Sequence, residues 1–255
     1  MSDAAEPWSA LGSPRFSIVV PAHNEGPTIE EVLRDYASEV ASKLGSSIVV
    51  CEDGSTDNTR EVLRRLSSEL PLRLVTSEGR LGYATGVKRG LRSADGDILF
   101  FSDSDGQYDP RDFWALRAQL GNADMVIGAK IERQEPPHRI LLAKGFHLLV
   151  KCLFGIRLRD IDCGFRLIRR RLVESVLDEV RDLPYSFWAE FTVISSLAGF
   201  RIVEVPVSHR SRLQGGTTIY QPRGLPKIVF RQALGLLRLR KRMAVRLKSR
   251  AGPAS

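Results

Sequence analysis

The chain has 255 residues, 43% of them hydrophobic and 27% charged, which is enough apolar material for one sizeable core and excludes a disordered chain. Its net charge of +8 is unevenly placed: residues 223–255 carry ten Lys and Arg and no Asp or Glu, and the remaining 28 basic and 30 acidic residues leave the body at −2. Three scattered cysteines (Cys51, Cys152 and Cys163) with no C-x-x-C pair exclude a disulfide framework or a cysteine-built zinc site, and they fit a reducing cytosol.

Residues 1–14 hold Pro, Ser, Ala and Gly without a period and read as a flexible tail, with no leader pattern of a signal peptide. The apolar run Phe16 to Val20, stopped by Pro21, predicts a buried strand ending in a loop. Thr28 with Glu31 three residues on reads as a capping box, opening a helix to about Val40. A second strand over Ile48–Cys51 ends in the turn Asp53-Gly54, and a helix follows from about Asn58. Leu72–Thr76 is a third strand, Tyr83–Leu91 a Gly-punctuated helix, and DILFFSDSD a fourth strand ending in acidic residues. Strands alternating with helices predict an α/β domain with a mainly parallel, mixed sheet flanked by helices, spanning 15–225. Ligands of such sheets collect at the carboxyl ends of strands, here Pro21–Glu25, Glu52–Asp57 and Asp103–Gln107.

The second half predicts a strand within Ala123–Ala129, helices near Leu172–Val180 and Phe187–Ala198, a strand over Ile202–Val207, a flexible loop at Gly215 and Gly216, and a basic helical tail over 226–255. Ile140–Leu158 is interrupted by Lys144, His147, Lys151 and Arg157, too many charges for a membrane span. Lys144, His147 and Lys151 share one helical face, opposite Leu142, Phe146, Leu149, Leu153 and Phe154, which predicts an interfacial or core helix over about 138–156.

DSDGQYDP, Asp103 to Pro110, carries the sharpest chemistry. Two carboxylates at i and i+2 after a buried strand suit a hard divalent cation, Mg²⁺ or Mn²⁺, which takes one or two carboxylates plus substrate phosphates. Gln107 offers a further oxygen, and the alternative is a solvated acidic turn. In EDGSTDNT, Asp53 is placed to accept hydrogen bonds from a ribose or base, unless Ser55 or Asp57 merely caps a helix. In PAHNE, Glu25 is placed to anchor a nucleoside or to cap the next helix.

In this order and spacing, PAHNE, EDGSTDNT and DSDGQYDP resemble the family 2 glycosyltransferases, over residues 16 to about 220. The resemblance implies the GT-A fold and a nucleotide-sugar donor. It implies donor-nucleotide binding by Pro21, Ala22, Glu25, Asp53, Ser55, Arg80 and Asp103, and a metal site of Asp103, Asp105 and Gln107 with Asp105 nearest the reacting centre. RLGYATGVKRGL resembles the family's Gly-rich segment beside the diphosphate, with Ala84 where a Gly is common, and His23 replaces a common Tyr.

The second half resembles the polyprenyl-phosphate sugar synthase branch, which includes the dolichol-phosphate mannose synthases. That likeness implies acceptor-phosphate binding by Arg133, Arg139, Arg212 and Thr217, through the fork of donors that arginine offers phosphate. It also places the D-x-x-x-G-F segment on Asp160, Gly164 and Phe165. Ala143 stands where a Ser is frequent, no hydrophobic span follows the domain, and Glu190 has a family counterpart without an assigned role. The expected reaction is inverting transfer of a hexose, from GDP-mannose first and UDP-sugars second, to a polyprenyl or dolichyl phosphate. The expected location is the cytoplasmic face of a membrane, held peripherally by its surface or by a membrane-protein partner. The rival readings are a saccharide or other non-lipid acceptor, a non-catalytic scaffold, and nucleic-acid binding, for which the tail brings no stacking or helix-turn-helix motif.

Overall fold

The computed structural model describes residues 14–131, 137–211 and 225–250, with the helix ends 137–139, 225 and 247–250 described as backbone alone. Seven strands form one sheet in the order β3-β2-β1-β4-β6-β5-β7. They are β1 (Phe16–Ala22), β2 (Ser47–Asp53), β3 (Leu72–Ser77), β4 (Ile98–Ser102), β5 (Met125–Lys130), β6 (Phe165–Arg169) and β7 (Ile202–Val207). The central strands read as unbroken apolar runs because both faces are covered: β1, β2, β4 and β5 are buried along nearly their whole length, whereas the edge strands β3 and β7 are half open.

β1 pairs in parallel with β2 on one side and β4 on the other, while the chain runs β1, β2, β3 outward before returning to β4. The strand order therefore reverses between β1 and β4, and in open α/β sheets the ligand crevice lies at the carboxyl ends of such a pair. β6 is antiparallel to both neighbours, β4 and β5, so its first residues lie at the same edge as that crevice. The sequence reading did not identify β6 as a strand, because Arg166 and Arg169 interrupt its apolar run. Arg166 is nonetheless fully buried.

The helices are α1 (Ile29–Tyr36), α2 (Ser42–Leu44), α3 (Thr59–Leu66), α4 (Tyr83–Ser93), α5 (Phe113–Gln119), α6 (Pro137–Phe154), α7 (Arg170–Val176), α8 (Phe187–Leu197) and α9 (Leu225–Arg250). The first stops at Tyr36 and passes through a π-helical turn, Ala37–Ala41, rather than running on to Val40 as α-helix. The expected capping box does not form: Thr28 makes no cap bond, and its hydroxyl turns back to the carbonyl and carboxylate of Glu25. Neighbouring side chains on β4 point to opposite sides. Phe100 meets Tyr36, Phe113 and Phe165, and Phe101 meets Trp188 of α8.

α6 and α9 pack on one another, and α9 also packs on α8. In α6 the inward stripe is set by Val150, which is buried, with Phe146, Leu153 and Phe154 packed against the core. Leu141, Leu148 and Leu149 face outward with Lys144 and Lys151. This corrects the expected faces: His147 sits on the partly buried side, Leu149 on the exposed one. α9 is no appended tail, since Leu236, Leu239 and Met243 are buried members of the core. Among the described residues no helix is long and apolar enough to cross a membrane.

Candidate active site

The carboxyl ends of β1, β2 and β4 bring PAHNE, EDGSTDNT and DSDGQYDP together, and hydrogen bonds knit the first two. Asn24, held at φ 55, accepts from the Thr56 amide (2.9 Å) and donates its own amide to the Ser55 hydroxyl (3.1 Å). His23 Nδ1 lies 2.8 Å from the Asp53 carbonyl. Asp57 accepts from Gly26 N and Thr59 N, and Glu25 N donates to Thr59 Oγ1. The Glu25 carbonyl takes the amides of Thr28 and Ile29 (2.9 and 2.8 Å), so Glu25 starts α1 with its backbone. Pro21 and Ala22 close β1 beside Cys51 and Glu52.

Asp53 uses its carboxylate on the chain itself. One oxygen accepts from Leu81 N and the other from Gly82 N, each at 2.8 Å, which fixes the loop holding Arg80 and the start of α4. Gly54, at φ 66, lies under that loop, where a Cβ would come 2.3 Å from the Gly79 carbonyl carbon; only glycine fits there. Arg80 itself is exposed. Glu52, which the sequence reading did not single out, is buried and takes the Ser55 amide and Arg60 Nε (2.8 Å).

Asp103 follows the last residue of β4, at the carboxyl end of the strand. Its Oδ1 accepts from Tyr83 Oη at 2.8 Å, its Oδ2 lies over Gly164, and its amide donates to the Gly164 carbonyl (3.1 Å). Burial, with the facing charge of Asp105 next in size, pushes its carboxyl up to about 7. Asp105 is buried and accepts from Gln107 N at 3.2 Å. Gln107 is clasped to the stretch after β7: its carbonyl accepts from Arg210 N (2.8 Å) and its amide nitrogen donates to Arg210 O (3.1 Å). Asp109 binds Arg111 and Arg210 and strengthens that junction.

Two neighbouring carboxylates at a strand end, one half-buried and one buried, suit a hard divalent cation. Among the described residues no group of three or more His, Cys, Asp or Glu side chains forms a metal cage. Such a pair therefore fits a cation that completes its shell with phosphate and water, as Mg²⁺ does, rather than a structural metal.

Lys130, absent from the expected site, ends β5 with its Nζ 3.6 Å from Asp160 Oδ2, and its charge draws Asp103 downward against the burial that raises it. Burial raises Asp162 to about 6, although it accepts from Ala189 N at the start of α8. Glu190 proves to be an anchor: its oxygens take the amides of Arg181, Asp182 and Leu183 (2.7–2.9 Å) and an Arg242 nitrogen of α9 (2.9 Å). Arg133, Arg212 and Thr217 lie outside the described residues, as does the side chain of Arg139 in the first turn of α6.

A family model described as glycosyl transferase family 2 matches residues 17–177. The chain belongs to glycosyl transferase family 2. Its relatives in sequence include glycosyltransferase AglD of Haloferax volcanii, 31% identical over 86% of this chain and 35% of that protein. They also include a dolichol-phosphate mannosyltransferase of Pyrococcus furiosus, 28% identical over 81% of this chain and 61% of that one. A dolichyl-phosphate β-glucosyltransferase of Trichomonas vaginalis is 26% identical over 89% and 76%. The chain thus spans less than two thirds of the first two relatives. Among solved structures it resembles the mannosyltransferase PcManGT of Pyrobaculum calidifontis, in complex with GDP-Man and Mn²⁺, at TM-score 0.60 and 20% identity over 98% of this chain and 78% of that one. Glucosyl-3-phosphoglycerate synthase of Mycobacterium tuberculosis, in complex with Mn²⁺, UDP and phosphoglyceric acid, superposes at TM-score 0.69 and 22% identity over 89% and 79%. These likenesses give this family 2 chain the GT-A fold.

Proposed function

We propose that the protein transfers a hexosyl group from a nucleoside-diphosphate sugar, GDP-mannose or a UDP-sugar, to a polyprenyl or dolichyl phosphate with inversion. The observation that carries the reading is the Asp103–Asp105 pair at the strand-order reversal of a family 2 domain. The curated relatives named for dolichyl-phosphate sugar transfer favour the lipid acceptor.

In this reading an acceptor phosphate oxygen attacks the anomeric carbon, a new carbon–oxygen bond forms, and the bonding pair to the old one leaves with the nucleoside diphosphate. The attacking oxygen is already ionised near neutral pH, so no strong base is needed; positioning and charge stabilisation dominate. Asp103, Asp105 and Gln107 would hold Mg²⁺ or Mn²⁺, which supplies Lewis-acid stabilisation of the leaving diphosphate. Pro21, Ala22, Glu25 and Ser55 border the nucleoside side, and Asp53 serves by fixing the Arg80 loop beside the diphosphate. Lys130, paired with Asp160, adds a cation whose charge acts on Asp103. Arg133, Arg139, Arg212 and Thr217 are the proposed acceptor-phosphate contacts.

The work place is a membrane surface, on its cytoplasmic side. Supporting this, α6 exposes Leu141, Leu148 and Leu149 beside Lys144 and Lys151, and α9 exposes Val229, Phe230, Leu237 and Val245 among Arg231, Arg238, Arg240 and Lys241. The deciding experiment offers labelled GDP-mannose, UDP-glucose and UDP-N-acetylglucosamine with a polyprenyl phosphate, in Mg²⁺, in Mn²⁺ and in EDTA. A metal-dependent glycolipid from one donor is expected. Nucleotide binding without glycolipid from any donor overturns the lipid-phosphate acceptor.

A further inference from the structure

An indole N–H can only donate a hydrogen bond, and a phenol has one proton to give. Trp188 Nε1 lies 3.0 Å from Tyr83 Oη, and Tyr83 Oη lies 2.8 Å from Asp103 Oδ1. The direction of this chain is therefore set: Trp188 donates to Tyr83, and the Tyr83 proton is committed to Asp103. Neither end is loose. Trp188 is 2% exposed, packed 4.5 Å from the ring of Phe101 and 4.1 Å from the guanidinium carbon of Arg166. Tyr83 opens α4 directly after Gly82, whose amide is held by Asp53.

The second oxygen of Asp103 is seated as closely. A Cβ at Gly164 would stand 1.8 Å from Asp103 Oδ2. Buried Arg166 holds the loop that carries this seat, donating to the carbonyls of Cys163 (2.9 Å from Nε) and Ile161 (3.5 Å) and to Thr192 Oγ1 (3.1 Å). One oxygen is thus oriented by a hydrogen-bond chain and the other by a backbone surface.

We infer that Tyr83 and Trp188 are positioning residues that, with the Gly164 seat, fix the plane in which Asp103 meets a divalent cation and the donor diphosphate. The inference rests on the metal reading of the Asp103–Asp105 pair. Tyr83 acts through Asp103, and Trp188 acts through Tyr83.

The test is Mn²⁺ binding to the full chain, by electron paramagnetic resonance and calorimetry, with and without GDP or UDP. It compares the parent with Tyr83→Phe, Trp188→Phe and Gly164→Ala. Tyr83→Phe removes one oxygen from a residue that is 42% exposed, so the fold should persist. It should weaken Mn²⁺ binding about tenfold, the scale of losing a hydrogen bond to a charged acceptor, and leave metal-free nucleotide binding unchanged. Raised Mn²⁺ should restore kcat in that variant, which damage to the fold would not permit. Gly164→Ala should weaken Mn²⁺ binding further. Trp188→Phe should shift it in the same direction; if that variant unfolds, Tyr83→Phe decides. Unchanged Mn²⁺ affinity in Tyr83→Phe overturns the positioning role. A parent that binds no Mn²⁺ with either nucleotide overturns the metal reading and the relay together, so the parent titration tells the two failures apart.

Discussion

At the residue scale, Asp103 carries conflicting demands, because the burial that raises its carboxyl opposes the charge that a cation would require. A carboxyl held near 7 by burial and by its neighbour keeps a proton in the folded chain that the unfolded chain, at its ordinary 3.8, has released. On this group's account, stability of the metal-free protein is greatest at low pH, falls as pH rises from about 4 to about 7, and then levels off. Asp103→Asn removes that loss. In EDTA at pH 8 its melting temperature should exceed that of the parent, the gap should shrink toward pH 5, and the rise in melting temperature on adding Mn²⁺ should vanish. Melting curves at the two pH values, with EDTA and with Mn²⁺, check all three. Asp105→Ala should bring turnover to background while the circular-dichroism spectrum stays that of the parent; full activity in that variant would remove the metal from the mechanism.

At the element scale, α8 ties two parts of the molecule together. Its Trp188 faces the crevice through Tyr83, while its Glu190 gathers three backbone amides of the 181–183 turn and Arg242 of α9. Arg242 also pairs with Asp182 and Glu179. Glu190 is fully buried, so Glu190→Ala strands several donors and should lower stability by about 3 kcal/mol in urea denaturation. Arg242→Ala should cost less, because the amides still satisfy Glu190, and should speed hydrogen exchange in α9. The family counterpart of Glu190 was legible in the sequence, but its partners were not. They come from a turn seven to nine residues earlier and a helix more than fifty residues later, and no periodicity reports such contacts.

At the scale of the whole molecule, α6 and α9 pack on one another and each exposes basic and apolar side chains, the surface that the proposed membrane reading would use. Each basic residue near an anionic membrane adds roughly 1 kcal/mol, so Arg238→Glu with Lys241→Glu should lower binding to anionic liposomes by at least tenfold and leave neutral liposomes unaffected. Leu148→Ser with Leu149→Ser should weaken both. Sedimentation of the full chain measures this. Deleting 226–255 would be a poor substitute, because Leu236, Leu239 and Met243 belong to the core and their loss would expose it.

Most strands, most helices and the three polar clusters could be read directly from the chain, because apolar period and turn residues are local properties and the clusters sit where buried runs end; α5 was not read, and the capping box expected at Thr28 does not form. The order of the motifs also pointed to family 2. Tertiary structure alone decided which face of α6 is buried, since Phe146 and His147 turn inward for a core built from distant strands. It decided that FRLIR is a strand, because Arg166 is tolerated inside only where Cys163, Thr192 and Trp188 converge to satisfy it. It decided that Asp53 grips a loop, and that Tyr83 and Trp188, 105 residues apart, stand in line behind Asp103. Such contacts depend on strand order, and the reversal between β1 and β4 is a property of the folded sheet that no local pattern of residues encodes.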